Sequence, residues 1–324
     1  MTRWGVNATG GIASRFADSM TRVEGGEIVA VASRTAARAA EFADKWKVEH
    51  PYDTQEAMAA DPDVDAVYIA TPHTFHEADT LIYLEAGKHV LCEKPFAINA
   101  AQGERMIAAA EARGLFLMEA VWSRFLPAYR TITEVVASGR IGTPLLVEAD
   151  FGFRSPVDPT HRHFDLAQGG GALLDLGIYP LQLCLHVLGP IAQIAGVASI
   201  GATGVDEQVA AVLRHESGGL GVIKAAISTN LTCTGRISGT DGVIEIPAFM
   251  HCPASITVNA PTGSETIDCS WIGDGLEPEI EEVHRCLAAG VTESPLMPIS
   301  ETRALAAAMD EIRGQIGLRY PGEG

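Results

Sequence analysis

Apolar and polar residues alternate along the first third of this chain in a way that predicts a parallel sheet. Residues 28–32 and 64–70 are short, nearly continuous apolar runs, which are typical of strands buried on both faces. The intervening segments, for example Ala36–Trp46, have the spacing of helices. Strands that alternate with helices predict a doubly wound parallel sheet with right-handed crossovers.

The pattern changes after residue 122. Residues 145–154 alternate apolar and polar side chains, which predicts a strand with one wet face. Further strand-like runs joined by tight turns predict a largely antiparallel sheet; they lie near 193–201, 207–215, 219–229, 233–238, 242–247 and 254–260. Helices are predicted at about 277–289 and 300–316. We therefore expect an α/β domain at residues 1–122, and an α+β domain with an open, mostly antiparallel sheet at residues 123–324.

Charge and cysteine content exclude some classes of function. The chain carries 23 basic and 41 acidic residues, a formal net charge of −18. A nucleic-acid partner is not expected, because phosphate binding needs a basic face. The 6 cysteines include no C-x-x-C pair, which favours buried reduced thiols. No metal is expected, since His161 and His163 lack further ligands. With no basic leader and no apolar run of ~20 residues, we expect a cytoplasmic protein without a membrane partner.

A glycine-containing turn follows the first predicted strand. Residues 8–13, Ala-Thr-Gly-Gly-Ile-Ala, match the fingerprint G-x-G-x-x-G/A, with alanine in place of the first glycine. At Gly10 the backbone approaches a pyrophosphate, Ala13 permits close packing of helix on strand, and the helix N-terminus attracts the anion. The turn predicts a dinucleotide site with contacts from Ala8, Thr9, Gly10, Gly11 and Ile12.

Ser33 and Arg34, at the end of the second predicted strand, set the expected cofactor preference. NAD enzymes usually carry a carboxylate here for the ribose hydroxyl, whereas a hydroxyl and an arginine suit a 2′-phosphate. We expect NADP(H) rather than NAD(H); the alternative is that Arg34 is solvated and the site is indifferent. We also expect Thr71, His73 and His76 beside the cofactor, although His76 has the alternative of a helix N-terminal residue with no ligand.

Lys94 is the strongest candidate for chemistry. It follows an apolar strand in the run Leu-Cys-Glu-Lys-Pro at 91–95, and such strands end at the crevice where parallel sheets bind ligands. A lysine near an oxidised nicotinamide feels a positive charge and shares its proton more readily. Glu93 is expected on the cofactor side, and Pro95 fixes the turn.

A second candidate site lies in the glycine-rich stretch 169–179, Gly-Gly-Gly-Ala-Leu-Leu-Asp-Leu-Gly-Ile-Tyr. Asp175 and Tyr179 are four residues apart and share one face of a helix. A polar stripe on an apolar helix needs partners or a ligand, so we expect these two residues to be functional. Gln182 and His186, further along, are expected to be structural. Pro180 removes a hydrogen bond and is expected to disturb the helix.

These motifs together resemble the Gfo/Idh/MocA oxidoreductase superfamily. Within it the chain is most similar to the subgroup of dimeric dihydrodiol dehydrogenases and NADP-dependent D-xylose dehydrogenases. The resemblance rests on Trp4-Gly5 and on residues 32–34, 86–95, 115–125 and 169–179, and it extends to 293–298. Most of the superfamily has histidine where this chain has Tyr179, which favours the narrower subgroup.

The resemblance implies a Rossmann domain followed by an open sheet that often forms a dimer interface, and hence a homodimer or a dimer of dimers. It implies that Lys94 and Tyr179 lie together across a cleft. It also adds Trp122 and Arg124 to the residues expected beside the cofactor, with Trp122 on the substrate side as well.

The implied reaction is hydride transfer between the nicotinamide and a secondary alcohol of a cyclic polyol, either an aldopyranose or a trans-dihydrodiol. Tyr179 would exchange the hydroxyl proton, assisted by Lys94, with Asp175 orienting the pair. The substrate pocket is expected to draw on Lys94, Trp122, Phe151, Phe153, Arg154, His161, Arg162, His163, Asp175 and Tyr179, although core packing is the alternative for the two phenylalanines. Two other interpretations stay open: a reductase of a ketose, anhydrosugar or other carbonyl, and a non-catalytic dinucleotide-binding sugar sensor.

Overall fold

The computed structural model describes residues 1–323, which divide into two compact units. The first unit comprises Met1–Phe125 and Ile272–Thr302, and the second comprises Leu126–Trp271 and residues 303–323. The sequence analysis placed the boundary after residue 122 and assigned the whole of 123–324 to the second domain. Residues 272–302 belong instead to the first unit because they pack there: Glu277 pairs with Arg22 at 2.8 Å, and His284 accepts the indole N–H of Trp4 at 2.9 Å.

The two units are built from fourteen strands and nine α-helices. In chain order these are β1 (Thr2–Asn7), α1 (Gly11–Met20), β2 (Gly26–Ala32), α2 (Ala36–Trp46), β3 (His50–Tyr52), α3 (Gln55–Ala59), β4 (Ala66–Ile69), α4 (His76–Glu85), β5 (His89–Glu93), α5 (Ala100–Arg113), β6 (Leu117–Ala120), α6 (Pro127–Ala137), β7 (Pro144–Gly152), α7 (Ile178–Leu188), β8 (Ile191–Ile200), β9 (Asp206–His215), β10 (Leu220–Ala226), β11 (Gly235–Gly239), β12 (Val243–Ile246), β13 (Ser255–Ala260), β14 (Gly263–Asp268), α8 (Glu277–Ala289) and α9 (Ile299–Ile316).

The first unit contains a six-stranded sheet in the order β3-β2-β1-β4-β5-β6. All neighbouring strands are parallel, which confirms the predicted doubly wound Rossmann sheet. Two helices begin at caps that the sequence marks: Thr54 accepts the N–H of Ala57 at 3.2 Å, and Asn99 accepts that of Gln102 at 2.9 Å. The carboxyl ends of β1, β2, β4 and β5 carry the residues predicted to bind the cofactor.

The second unit contains an eight-stranded sheet in the order β14-β13-β12-β11-β7-β10-β9-β8. Only β7 and β10 pair in parallel, so the sheet is mixed and mostly antiparallel, as predicted. One face buries Val147, Ile223 and Ile237 and packs against α7. The other face is open, and Val197 on it is 72% exposed.

The glycine-rich segment enters α7 through a π-helical turn, Leu173–Gly177. Pro180, in the first turn of α7, has no N–H to offer the carbonyl four residues earlier. A π turn, with its i→i+5 hydrogen bonds, is one way in which a helix accommodates such a loss. The disturbance expected from Pro180 is therefore present as a π turn just before it.

The prediction that no apolar run is as long as a membrane-spanning helix was wrong, because one segment has the required length and composition. Leu166–Leu188 is 23 residues long and reaches a mean hydropathy of 1.4; it alone passes this test among residues 1–323. Its most apolar window is 89% buried inside the protein. That burial is what the core helix of a globular domain shows, because the apolar surface faces other side chains.

Candidate active site

The turn after β1 offers an open anion site at the N-terminus of α1. Gly10 is the N-cap, no side chain caps the helix, and its first turn contains no acidic residue. A Cβ added to Gly10 or Gly11 would meet no atom within 4 Å, so there is room for a ligand against the backbone. Ala13 is fully buried, as the fingerprint requires for close packing. These features fit the pyrophosphate of a dinucleotide.

Ala8 occupies the place of the first fingerprint glycine. Its φ of 111° lies in the range that favours glycine. Its N–H donates to the carbonyl of Ala32 at 3.0 Å, which holds the strained conformation. The alanine therefore forms the tight turn that a glycine would form.

The ends of β1 and β2 meet where the cofactor ribose was predicted. The hydroxyls of Thr9 and Ser33 lie 3.4 Å apart. Arg34 and Arg38 are exposed on either side of Thr35, the N-cap of α2, whose first turn has no acidic residue. Two arginines at a helix N-terminus concentrate positive charge there, which suits a phosphate. Sequence reasoning identified Arg34 and missed Arg38. Arg38 could have been identified from its position in the first turn of the helix that begins after Thr35.

His76 is fully buried and joins two backbone segments. Its ring nitrogens lie 2.9 Å from the carbonyl oxygens of Thr71 and Pro95. Burial lowers the pKa of His76, and a neutral ring can donate to only one of these carbonyls. The ring of His73 packs edge-on against it at 5.9 Å. These contacts of His76 connect the segment after β4 to the loop after Lys94. Contact of His76 with the cofactor remains a prediction.

Lys94 is half-buried and follows directly on β5. The carboxylate of Glu93 accepts the hydroxyl of Tyr68 and also the backbone N–H of Lys94, the latter at 3.1 Å. Burial raises the pKa of Glu93, and Tyr68 and the charge of Lys94 oppose that rise. Glu93 therefore fixes the backbone from which the lysine side chain extends.

Two further buried carboxyl groups interact with Glu93. Glu119, on β6, accepts the N–H of Phe96 at 2.9 Å, and burial raises its pKa to about 7. Glu279, on α8, is fully buried, and burial together with the neighbouring glutamates raises its pKa well above the ordinary value. The charge of Lys94 lowers the pKa of Glu93 and of Glu119, against the larger rise that burial causes. Sequence reasoning missed Glu119 and Glu279.

Trp122 and Arg124 lie in a buried 3-10 turn, Trp122–Phe125. The guanidinium of Arg15, on α1, lies over the ring of Trp122 at 5.4 Å from its centroid, so the tryptophan is close to the helix of the dinucleotide turn. Arg124 pairs with both carboxylate oxygens of Glu301, at 2.5 and 3.1 Å, and donates to the carbonyl of Leu296 at 2.8 Å. Its described contacts are thus structural, and a cofactor contact stays a prediction.

In the second unit, Asp175 is held by the loop that precedes its helix. Its Oδ2 lies 3.1 Å from Nη1 of Arg162 and 3.4 Å from Nε2 of His163. The other ring nitrogen of His163 lies 2.9 Å from the hydroxyl of Ser155. Asp175 and His163 are buried, whereas Arg162 is 54% exposed. Arg154, also predicted for the pocket, is exposed on the same loop. The structure thus brings Arg162 and Asp175 together.

Tyr179 lies in the middle of a row of contacting rings. Its centroid is 5.6 Å from that of Phe151 and 5.0 Å from that of His251, and these two neighbours stack at 4.3 Å. The aromatic row, as we call it, consists of Phe249, His251, Tyr179, Phe151, Phe153, His163 and His161. Sequence reasoning missed His251 and Phe249, because they come from the loop between β12 and β13 and match no motif.

A buried carboxyl group holds the start of this helical segment. Oδ2 of Asp206 accepts the N–H of Leu173 at 2.7 Å, and the hydroxyl of Tyr320 donates to the carbonyl of Gly170 at 2.9 Å. Burial raises the pKa of Asp206 to about 7, although backbone N–H groups oppose the rise. Asp206 therefore helps to position the helix that carries both candidate residues.

One cluster of possible metal ligands occurs among residues 1–323, formed by His50, Asp61 and Asp63. Asp61 accepts from Tyr52 at 3.0 Å and lies 2.7 Å from His50 Nδ1, and Asp63 pairs with Arg3 at 2.7 Å. These acids have partners within the protein and lie near the edge strand β3. The six cysteines form no disulfide with one another.

Two family models match the chain. The model described as "Oxidoreductase family, NAD-binding Rossmann fold" matches residues 2–121, and the GFO/IDH/MocA C-terminal domain matches residues 129–245. Trans-1,2-dihydrobenzene-1,2-diol dehydrogenases from Bos taurus and Homo sapiens are each 38% identical to this chain, over 98% of both proteins.

Solved structures agree with this assignment. KijD10, a 3-ketoreductase from Actinomadura kijaniata in complex with NADP and TDP-benzene, has a TM-score of 0.87 and 26% identity, covering 97% of this chain and 98% of that one. The aldose-aldose oxidoreductase from Caulobacter crescentus, complexed with glycerol, has a TM-score of 0.88 and 25% identity, covering 97% of each chain. The resemblance drawn from the sequence is confirmed: this chain belongs to the Gfo/Idh/MocA family and is an NAD(P)-dependent oxidoreductase.

Proposed function

We propose that this enzyme is an NADP-preferring dehydrogenase that oxidises a secondary alcohol of a cyclic polyol, either an aldopyranose or a trans-dihydrodiol. The observation that carries the proposal is the surroundings of Tyr179. Its phenol is one ring of the aromatic row, and Asp175, on the preceding turn of the same segment, is ion-paired with Arg162. Ligand sites for small molecules combine such apolar and aromatic walls with a few fixed polar groups.

The acid–base work is assigned to Tyr179 and Lys94. An unperturbed tyrosine titrates near pH ~10, so its hydroxyl needs a nearby cation to accept a proton at neutral pH. Lys94 is the cation that we assign to it. Asp175 would bind a second substrate hydroxyl or orient the pair. Bound NADP⁺ supplies the hydride acceptor.

The preference for NADP(H) over NAD(H) is supported by the groups at the ends of β1 and β2. The hydroxyls of Thr9 and Ser33 are close enough to bind one ligand together. The exposed guanidinium groups of Arg34 and Arg38 would pair with a 2′-phosphate through charge-assisted hydrogen bonds. No carboxylate in the first turn of α2 competes for these arginines.

The names of the relatives support the substrate class. The mammalian relatives are named as dehydrogenases of a cyclic diol, and the Caulobacter enzyme is named for aldoses. Reduction of a carbonyl is the second candidate, because KijD10 is named a 3-ketoreductase and the same acid–base residues serve both directions.

We further propose that the enzyme forms a homodimer, or a dimer of dimers, through the open face of the eight-stranded sheet. Val197, Val212 and Leu220 are 72%, 46% and 41% exposed there. Apolar side chains that cluster on an open sheet favour a protein partner. We also propose a cytoplasmic location, since six cysteines without a disulfide suit a reducing compartment.

The test is to follow the absorbance of the reduced nicotinamide with NADP⁺ or NAD⁺ against aldopyranoses, inositols and trans-dihydrodiols. We expect turnover with NADP⁺, and a loss of ~10²–10⁴-fold in kcat for Lys94→Met and Tyr179→Phe with cofactor affinity nearly unchanged. Full activity of Tyr179→Phe would refute the acid–base assignment. Equal kcat/KM with both cofactors would refute the NADP preference.

A further inference from the structure

We propose that Phe249 forms a second subsite, which binds a second ring carried by the substrate, such as the aglycone of a glycoside. The inference rests on the proposed function and extends it, because it adds a ring position to the same site. The ring centroid of His251 lies 5.0 Å from that of Tyr179 and 6.4 Å from that of Phe249. Phe249 is therefore two ring contacts away from the phenol that we assign to the reacting hydroxyl.

A fixed turn displays this phenylalanine. Met250, the next residue, is fully buried; its N–H donates to the carbonyl of Cys233 at 2.9 Å, and its carbonyl accepts the hydroxyl of Tyr129 at 3.2 Å. The N–H of Cys252 donates to the carbonyl of Phe249 at 2.7 Å. These bonds fix the backbone from the carbonyl of Phe249 onward, so the ring projects from the start of a held turn.

Two features of Phe249 work against folding. Its φ of 65° is left-handed, a conformation that bulky residues rarely adopt. Its side chain is 62% exposed, so the ring contributes little to the core of its unit. Glycine or asparagine would occupy this position with less strain. Local strain of this kind is retained where the strained residue is used for binding.

The chemistry of the row indicates the ligand. Phe249 offers an exposed ring, and aromatic rings pair with a second ring at centroid distances of ~4.5–7 Å in offset or edge-on arrangements. A monosaccharide or a cyclic diol bound at Tyr179 supplies one ring. A ligand that also contacts Phe249 must contain a second ring, such as a phenyl or sugar substituent.

The experiment measures binding to the full-length protein saturated with NADPH, by calorimetry, with D-xylose and phenyl β-D-xylopyranoside as probes. The reduced cofactor prevents oxidation of either alcohol during the titration. In the wild type we expect the phenyl xyloside to bind more tightly than D-xylose. In Phe249→Gly this preference should fall about tenfold, the size expected for one lost aromatic pair. Phe249→Tyr should retain it. The melting temperature of Phe249→Gly should stay close to that of the wild type, because relief of the left-handed strain offsets the greater freedom of glycine in the unfolded chain.

Ile272→Ala is the control for loss of an exposed apolar side chain, since Ile272 is 87% exposed and outside the aromatic row. The inference is overturned if the wild type does not bind the phenyl xyloside, or if Phe249→Gly keeps the wild-type preference. It is also overturned if Phe249→Gly sediments as a smaller species with the preference intact, since the ring then serves contact between copies. Phe249-dependent binding without turnover of any alcohol would refute the proposed function and leave the subsite standing.

Discussion

Replacement of Asp206 by asparagine tests the energetics of the helix that carries Asp175 and Tyr179. Asp206 is fully buried; its Oδ2 accepts the N–H of Leu173 at 2.7 Å, and its Oδ1 has no hydrogen-bond partner among residues 1–323. Burial raises the pKa of its carboxyl group to about 7 in the folded protein. Asparagine keeps an accepting oxygen and carries no charge, so Asp206→Asn imitates the protonated side chain.

The sign and size of the effect follow from the raised pKa. An unfolded aspartate has its ordinary pKa of 3.8, so between this value and about 7 the folded state binds the extra proton. The contribution of Asp206 to stability is therefore complete below pH ~4 and is lost as the pH rises to ~7, at ~1.36 kcal/mol for each pH unit. Between pH ~5 and pH ~8 the free energy of unfolding of the wild type should therefore fall by ~3 kcal/mol more than that of Asp206→Asn.

The assay is urea unfolding at several pH values across that range, with Asp53→Asn as the control for removal of an exposed carboxylate. The free energy of unfolding of Asp206→Asn minus that of the wild type should increase by ~3 kcal/mol from pH ~5 to pH ~8. Asp206→Ala also removes the acceptor of the Leu173 N–H and should be ~1–3 kcal/mol less stable than Asp206→Asn throughout. A difference between wild type and Asp206→Asn that does not change with pH would refute the titration of Asp206.

Three further substitutions test other contacts. Arg34→Ala should raise the KM for NADP⁺ about tenfold and change that for NAD⁺ little, because the proposed charge-assisted bond to the 2′-phosphate would be lost. Equal changes in the two KM values in steady-state kinetics would contradict this. Gly171→Ala should lower the melting temperature strongly. Gly171 has a φ of 126°, and a Cβ there would lie 2.0 Å from Oδ1 of Asp206. An unchanged melting curve would contradict this close approach of Gly171 to Asp206. Arg124→Ala should lower the free energy of unfolding in urea by ~1–3 kcal/mol, because half-buried Glu301 and the carbonyl of Leu296 lose their partner. An unchanged free energy of unfolding would show that the pair is not needed.

The fold was predictable where the signals are local. The helices Ala36–Trp46 and Glu277–Ala289 have the predicted bounds, because an apolar stripe and its limiting residues lie within one segment. The strands β3 and β14 were missed. β3 has three residues and contains Pro51, and β14 is polar and mostly exposed, so neither shows the apolar pattern of a strand.

Candidate site residues can be named from the sequence where one motif contains them, and not where the fold brings distant segments together. Asp150 alternates with Phe151 along β7 and was expected on the wet face of the sheet. It is buried instead, because the turn before β11 covers it: the hydroxyl of Thr232 donates to it at 2.8 Å and the N–H of Cys233 at 2.6 Å. The alternation in the strand contains no information about that turn.

The buried acids share this physical cause. Glu119, Glu279 and Asp206 are each fully or nearly fully buried, and burial raises the pKa of each. Carboxyl groups are rarely buried without a charged or hydrogen-bonding partner. An acidic residue in the sequence is therefore predicted to be exposed, and these three were not recognised as buried. Two of them interact with the acidic group beside Lys94, and the third holds the helix of Tyr179. Positions that violate the rules of solvation tend to mark functional sites, so the placement of these acids beside the segments that carry Lys94 and Tyr179 supports each of the two as a candidate.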